Sequence, residues 1–156
     1  MTSLSTATSL ALKQNMGLKK TEKVLIVYDD NKTNIATTFF AEAQKITKKV
    51  KLLKIPIGKV SGEEPPTATA EEMLNYDIIL LITTRSLSHT QARKNASKNG
   101  ARIASLPGIT KDIMVRTLNA DYTKIANLSK KISNYLKGKK ITITKEWNFP
   151  CPMPKA

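Results

Sequence analysis

The side chains that could do chemistry gather in one stretch, "TTRSLSHTQARKNASKNGARIASLPGIT", Thr83 to Thr110, which holds the single histidine of the chain, His89, among hydroxyls and arginines. A catalytic imidazole needs a nucleophile, a metal or an orienting carboxylate within reach. Ser86, Ser88 and Thr90 are its neighbours in sequence, and Asp29 or Asp30 could approach across a crevice, but nothing like a strained G-x-S-x-G elbow is present. A lone histidine beside a helix start reads better as structural, with Ser86 or Ser88 capping the helix and His89 packed near its first turn. Anion binding suits these residue types more closely than catalysis. Free N–H groups at a helix start, with Arg85 and Arg93 nearby, attract a carboxylate or phosphate. The candidate ligand-binding set is Asp29, Asp30, Arg85, Ser88, His89, Thr90 and Arg93, with no catalytic residue and no metal ligand assigned.

Metal and nucleotide chemistry find less in the chain. A hydrolytic zinc or two-metal site needs several His, Asp, Glu or Cys donors close together, and here one His and one Cys, Cys151, lie far apart. Paired acids occur at Asp29-Asp30, Glu63-Glu64 and Glu71-Glu72. Solvation or helix capping accounts for the last two pairs. After the first apolar run the chain reads "YDDNKTN", without the glycines that let a backbone approach a pyrophosphate, and neither G-x-G-x-x-G nor a P-loop appears.

The elements that must position these residues follow from the hydrophobic pattern. Ser5 to Gln14 reads as a short helix ending near Gly17. "KVLIVYDD" is a strand with consecutive apolar residues, as burial on both faces requires. Asp30 or Asn31 caps the next helix, along which Ile35, Ala36, Phe39, Phe40, Ala43 and Ile46 recur at helical spacing. "VKLLKIPI" is a second strand stopped by Pro56, and "GKVSGEEPPTA" is irregular loop. "TAEEMLNY" is a short helix with Thr69 and Glu72 as a capping box. "DIILLI" is the third strand, "SLSHTQARKNASKNG" a helix closed by Gly100, and "ARIASLPG" a fourth strand ended by Pro107. Thr110 caps "TKDIMVRTLN", and an amphipathic helix runs from about Asp121 to Leu136, followed by a fifth short strand, Lys140 to Thr144.

Alternating strands and helices predict an open, three-layer parallel α/β sheet of Rossmann or flavodoxin type, with four to five strands and helices on both faces. The expected strand order is 2-1-3-4. The chain then reverses direction between the first and third strands, and ligands bind outside the carboxyl ends at that point. Those ends are Tyr28 to Asp30 and Thr83 to Thr90. The expected organisation is a single α/β domain over 1–144 and an irregular Pro-rich tail over 145–156.

Composition narrows the class further. At 156 residues, 40% hydrophobic and only 5% aromatic, the chain supports one aliphatic core. No apolar run approaches the roughly 20 residues needed to cross a bilayer, the start lacks a secretory pattern, and one cysteine fits a reducing cytoplasm. Lys plus Arg number 26 against 12 acids, a net +14. The lysines are scattered through the chain and mixed with Ile and Asn, so a solvated surface explains them better than nucleic acid does.

Taken in order, "ALKQNMGLKKTEKVLIVYDD", "GEEPP", "RSLSHTQARKNASKNGARIASLPGIT" and "RTLNADY" resemble the N-terminal domain of the thermophilic metallo-aminopeptidase family, which includes aminopeptidase T, AmpS-like enzymes and leucyl aminopeptidases, with dihydroxypyridine dioxygenases as distant relatives. The resemblance runs from about Ala11 to Leu136. It implies a hydrolase that removes N-terminal amino acids from peptides with divalent metals (Zn, Co or Mg), held by a C-terminal domain to which no residue here corresponds. On that basis the chain is expected to be a non-catalytic N-terminal domain or truncated form with no cofactor of its own. Peptide substrate would be bound only by the full-length relative, and self-association into a homo-oligomer is expected. A stand-alone module binding a small anion is the second reading, and a basic nucleic-acid-binding protein the third and weakest.

Overall fold

The computed structural model describes residues 3–117 and 122–138, and the chain falls into two compact units, Met1–Ala120 and Asp121–Ala156. In the first unit four strands, β1 (Val24–Tyr28), β2 (Val50–Lys54), β3 (Ile78–Ile82) and β4 (Arg102–Ser105), form a sheet in the order β2-β1-β3-β4. Every pair is parallel, with Val24 opposite both Val50 and Ile78, and Ile78 opposite Arg102. This is the open α/β architecture and strand order expected from the apolar runs. The expected fifth strand at Lys140 to Thr144 and the tail 145–156 lie outside the described residues.

The reason for the order is visible in side-chain burial. β1 and β3 take the two central places because their residues are apolar without interruption, and all five positions of β3 are buried. β2, "VKLLK", alternates partly with lysine and is only half-buried, as suits its place beside a single neighbour. Successive side chains point to opposite faces. Val24, Ile26, Ile78, Leu80 and Ile82 meet Leu12, Phe39, Ala43 and Met114 on one face. Leu25, Val27, Ile79 and Leu81 meet Met73, Leu87, Ala92 and Ala96 on the other. Each such aliphatic side chain contributes about 1.5–3 kcal/mol by leaving water.

The helices supply the outer layers: α1 (Leu4–Leu10), α2 (Thr33–Gln44), α3 (Thr67–Glu72), α4 (Gln91–Lys98) and α5 (Lys111–Thr117). Several local expectations are corrected. The first helix is capped by Ser3, whose Oγ accepts from Thr6 N–H at 3.1 Å, and loosens into a wider turn over Ala11–Asn15 before Gly17 at φ +57°. Ahead of α2 a 3-10 turn, Asp30–Lys32, intervenes, so neither Asp30 nor Asn31 is the cap of that helix. The capping box at Thr69 and Glu72 is absent because the helix starts earlier, at Pro66 and Thr67. Thr69 is buried, and Glu72 instead accepts from Lys51 Nζ (2.7 Å) and Tyr76 Oη (2.9 Å). Thr110 does cap α5, its Oγ1 accepting from Ile113 N–H at 3.2 Å.

In the second unit α6 (Tyr122–Leu136) carries Ile125, Leu128, Ile132 and Leu136 at the anticipated spacing. Among the described residues no helix is long and apolar enough to cross a membrane.

Candidate functional site

At the carboxyl ends of β1, β2 and β3 lies a cavity of about 250 Å³. Parallel order β2-β1-β3 makes the connection after β1 leave toward one side and that after β3 toward the other, so their loops diverge and leave a crevice there. Asp29, immediately after β1, and Thr83, Arg85 and Leu87, after β3, form one side. The long connection from β2 to α3 supplies the rest: Ile55 to Gly58, Val60 and Glu63 to Pro66.

Asp29 is almost wholly buried. Its carboxylate accepts from the Thr84 backbone N–H and, at 3.0 Å, from Thr84 Oγ1, tying the end of β1 to the end of β3. Asn31 Nδ2 reaches the same Thr84 Oγ1 at 3.2 Å. Thr83 Oγ1 donates to the Arg85 carbonyl at 2.6 Å, turning the chain out of the sheet. The Arg85 side chain is exposed and makes no hydrogen bond or ion pair among the described residues.

The facing loop is held by its own acids. Glu63 Oε2 accepts from Lys59 N–H and closes the turn around Gly58. Glu64 reaches the start of α4, where Oε1 accepts from Gln91 N–H and Oε2 from Ala92 N–H at 3.1 Å. Gly62 N–H donates to the Ser86 carbonyl at 2.7 Å, and Ser86 N–H to Ser61 Oγ at 3.2 Å. The two walls are thus bonded to each other, and the cavity between them is part of the framework.

The residues expected to form a site divide into two groups. Asp29 and Arg85 line the cavity together; Asp30, Ser88, His89, Thr90 and Arg93 do not. Asp30 is exposed and pairs with Lys54 at 2.5 Å, which raises the Lys54 pKa through that hydrogen bond and charge. Thr90, not Ser86 or Ser88, caps α4: it is buried, accepts from Arg93 N–H (3.2 Å) and donates to Leu87 O (2.7 Å). Ser88 bridges Ser86 and Ser105 through hydroxyl contacts of 3.0 and 2.8 Å. Arg93 Nε donates to Ser88 O at 2.9 Å. His89 sits exposed on the turn before α4. Among the described residues no three His, Cys, Asp or Glu come together to hold a metal ion.

The β2–α3 connection is irregular, as its Gly, Pro and Ser content predicts, and Glu64 is a capping acid, but the sequence does not mark this segment as a wall of the cavity. One signal was available: the segment leaves the carboxyl end of a strand adjacent to the crossover point, where binding loops belong.

The sequence matches no known protein family and no curated protein. Among solved structures the chain is similar to a 2,5-dihydroxypyridine dioxygenase from Pseudomonas putida, with a TM-score of 0.62 and 17% identity. The likeness covers 83% of this chain and 40% of that enzyme, so the chain spans well under half of its length. At that identity the likeness establishes a shared fold.

The expected aminopeptidase assignment is thereby overturned, along with the hydrolase and truncated-leucyl-aminopeptidase readings attached to it. The matching fold belongs to a dioxygenase, and no aminopeptidase family is matched. The block "GARIASLPGIT" that carried the resemblance forms β4, the turn after it and the Thr110 cap of α5. The two alternatives fare no better. A stand-alone anion module is disfavoured by the cavity itself, whose lining includes three acids, Asp29, Glu63 and Glu64, and one arginine, Arg85. Nothing in the comparisons points to nucleic acid.

Proposed function

We propose that this chain is a ligand-binding α/β domain of the kind that forms part of a 2,5-dihydroxypyridine dioxygenase, and that the cavity between Asp29, Arg85 and the β2–α3 connection is its binding site. In this reading the domain contributes contacts to a small substrate within a larger architecture, and oxygen chemistry is the business of the remaining part. A cytoplasmic setting suits the single cysteine. The observation that carries the proposal is the cavity: concave, partly apolar, braced on both walls and located at the switch point of a parallel sheet.

The test is a small-fragment screen followed by amide chemical shifts of the full chain. Bound fragments should perturb residues 55–66 and 83–87, and Val60→Trp should abolish the response; Val60 is 63% exposed, so the larger ring reaches the cavity mouth without disturbing the core. Shifts confined to the lysine-lined groove at the opposite strand ends, around Lys23 and Lys48–Lys51, would refute the assignment.

A further inference from the structure

We infer that the ligand of this cavity is a small aliphatic zwitterion, with an ammonium group and a carboxylate on a short apolar body, an inference that rests on the cavity being the binding site. Three carboxylates and one guanidinium line the same space. Two of the carboxylates are committed: Asp29 spends both oxygens on Thr84, and Glu64 both on the first N–H groups of α4. Glu63 differs. Its Oε2 holds the Lys59 and Val60 amides, while Oε1 accepts no hydrogen bond among the described residues. Arg85 is the other group with spare capacity.

Glu63 and Arg85 thus line one cavity, carry opposite charges and form no ion pair with each other. Gly58 marks the space between them. A Cβ there would stand 3.3 Å from Glu63 Oε2 and 3.8 Å from Arg85 Cβ. The φ of Gly58 is not positive, so an added Cβ would act through this close approach rather than through backbone conformation. A simple anion would meet Arg85 but also three carboxylates. A simple cation would meet the like charge of Arg85. A molecule carrying both charges satisfies Glu63 and Arg85 at once.

Size and wall chemistry set the rest. A volume of about 250 Å³ lies just under the ~300–1,000 Å³ of small-molecule pockets, so the ligand is small. The uncharged lining is aliphatic: Ile55, Pro56, Ile57, Pro66 and Leu87. A free α-amino acid with a branched aliphatic side chain meets each requirement.

The experiment titrates the full chain with valine, isovalerate and isobutylamine, following amide shifts at Gly58, Glu63 and Arg85. Valine should bind at least about tenfold more tightly than either singly charged analogue, and Glu63→Gln and Arg85→Gln should each weaken it by at least about tenfold. Both residues are exposed, and melting temperatures of the two variants confirm that the fold is intact. If isovalerate or isobutylamine binds the cavity as well as valine does, the zwitterion is wrong while the site stands. If no compound of any charge moves these amides, including the wider fragment set, the site itself is wrong.

Discussion

Replacing Glu64 removes the contact by which the β2–α3 connection is anchored to α4. An α-helix begins with four N–H groups that lack internal partners. At α4 the Thr90 hydroxyl takes one, from Arg93, and the Glu64 carboxylate takes two, from Gln91 and Ala92. Loss of an N-terminal cap costs about 0.5–2 kcal/mol, and a carboxylate at this end gains about 0.3–1 kcal/mol from the helix dipole. Glu64 is solvent-exposed, so water screens the charge and the dipole part falls at the low end. Glu64→Gln, which keeps one acceptor and loses the charge, should cost about 0.3–0.8 kcal/mol. Glu64→Ala should cost about 1–2 kcal/mol, or roughly 5 °C in melting temperature for a chain of this size. Urea denaturation followed by circular dichroism measures both, with an unchanged slope showing that stability alone has altered. Hydrogen exchange at the Gln91 and Ala92 amides should accelerate in the alanine variant. An alanine variant within about 0.3 kcal/mol of the parent, with those amides as protected as before, would show that this anchor is not made in solution.

Two further outcomes concern titration. Glu22 is held below the ordinary carboxyl range, first by its hydrogen bonds to Arg102, against the opposing effect of burial; Arg102 also reaches the carbonyls of Met16 and Gly17, joining β4 to the segment before β1. Because the folded value is the lower one, its stabilisation is present above the unfolded glutamate value near 4.5 and is lost as pH falls through the folded value. The stability gap between the parent and Glu22→Gln should therefore shrink as pH is lowered from about 6 to about 3; a constant gap would contradict the pairing. Tyr76 is pushed up to about 12 by burial and by its hydrogen bond to Glu72. Here the folded state retains its proton longer, so this contribution to stability declines as pH rises from about 10 toward 12. Ultraviolet titration should show a late tyrosine transition that disappears in Tyr76→Phe; persistence of that transition would assign it elsewhere.

How far the sequence reaches depends on how local each cause is. Uninterrupted apolar runs at Val24–Val27 and Ile78–Ile82 specify central strands because burial on both faces leaves no position for a polar side chain. The crossover rules then restrict the order, and β2-β1-β3-β4 is legible in the sequence. Caps were less so. Ser86, Ser88 and Thr90 are all competent to start α4, and only the packing of Leu87 and the acceptor supplied by its carbonyl selects Thr90. Likewise Asp29 looked like one half of an acidic pair, yet its partner is Thr84, 55 residues away, while Asp30 turns to Lys54.

By itself, then, the amino-acid order determined the parallel sheet, the place of the crevice and two residues that line it, Asp29 and Arg85, which lie just beyond the ends of β1 and β3. Those are consequences of short-range pattern and strand direction. Only the tertiary structure decided that His89, Ser88, Thr90 and Arg93 stay out of the cavity and that Glu63 and Glu64 come to it from a loop. Long-range hydrogen bonding between two connections fixes those side chains, and no spacing along one chain encodes which distant amide a carboxylate will meet.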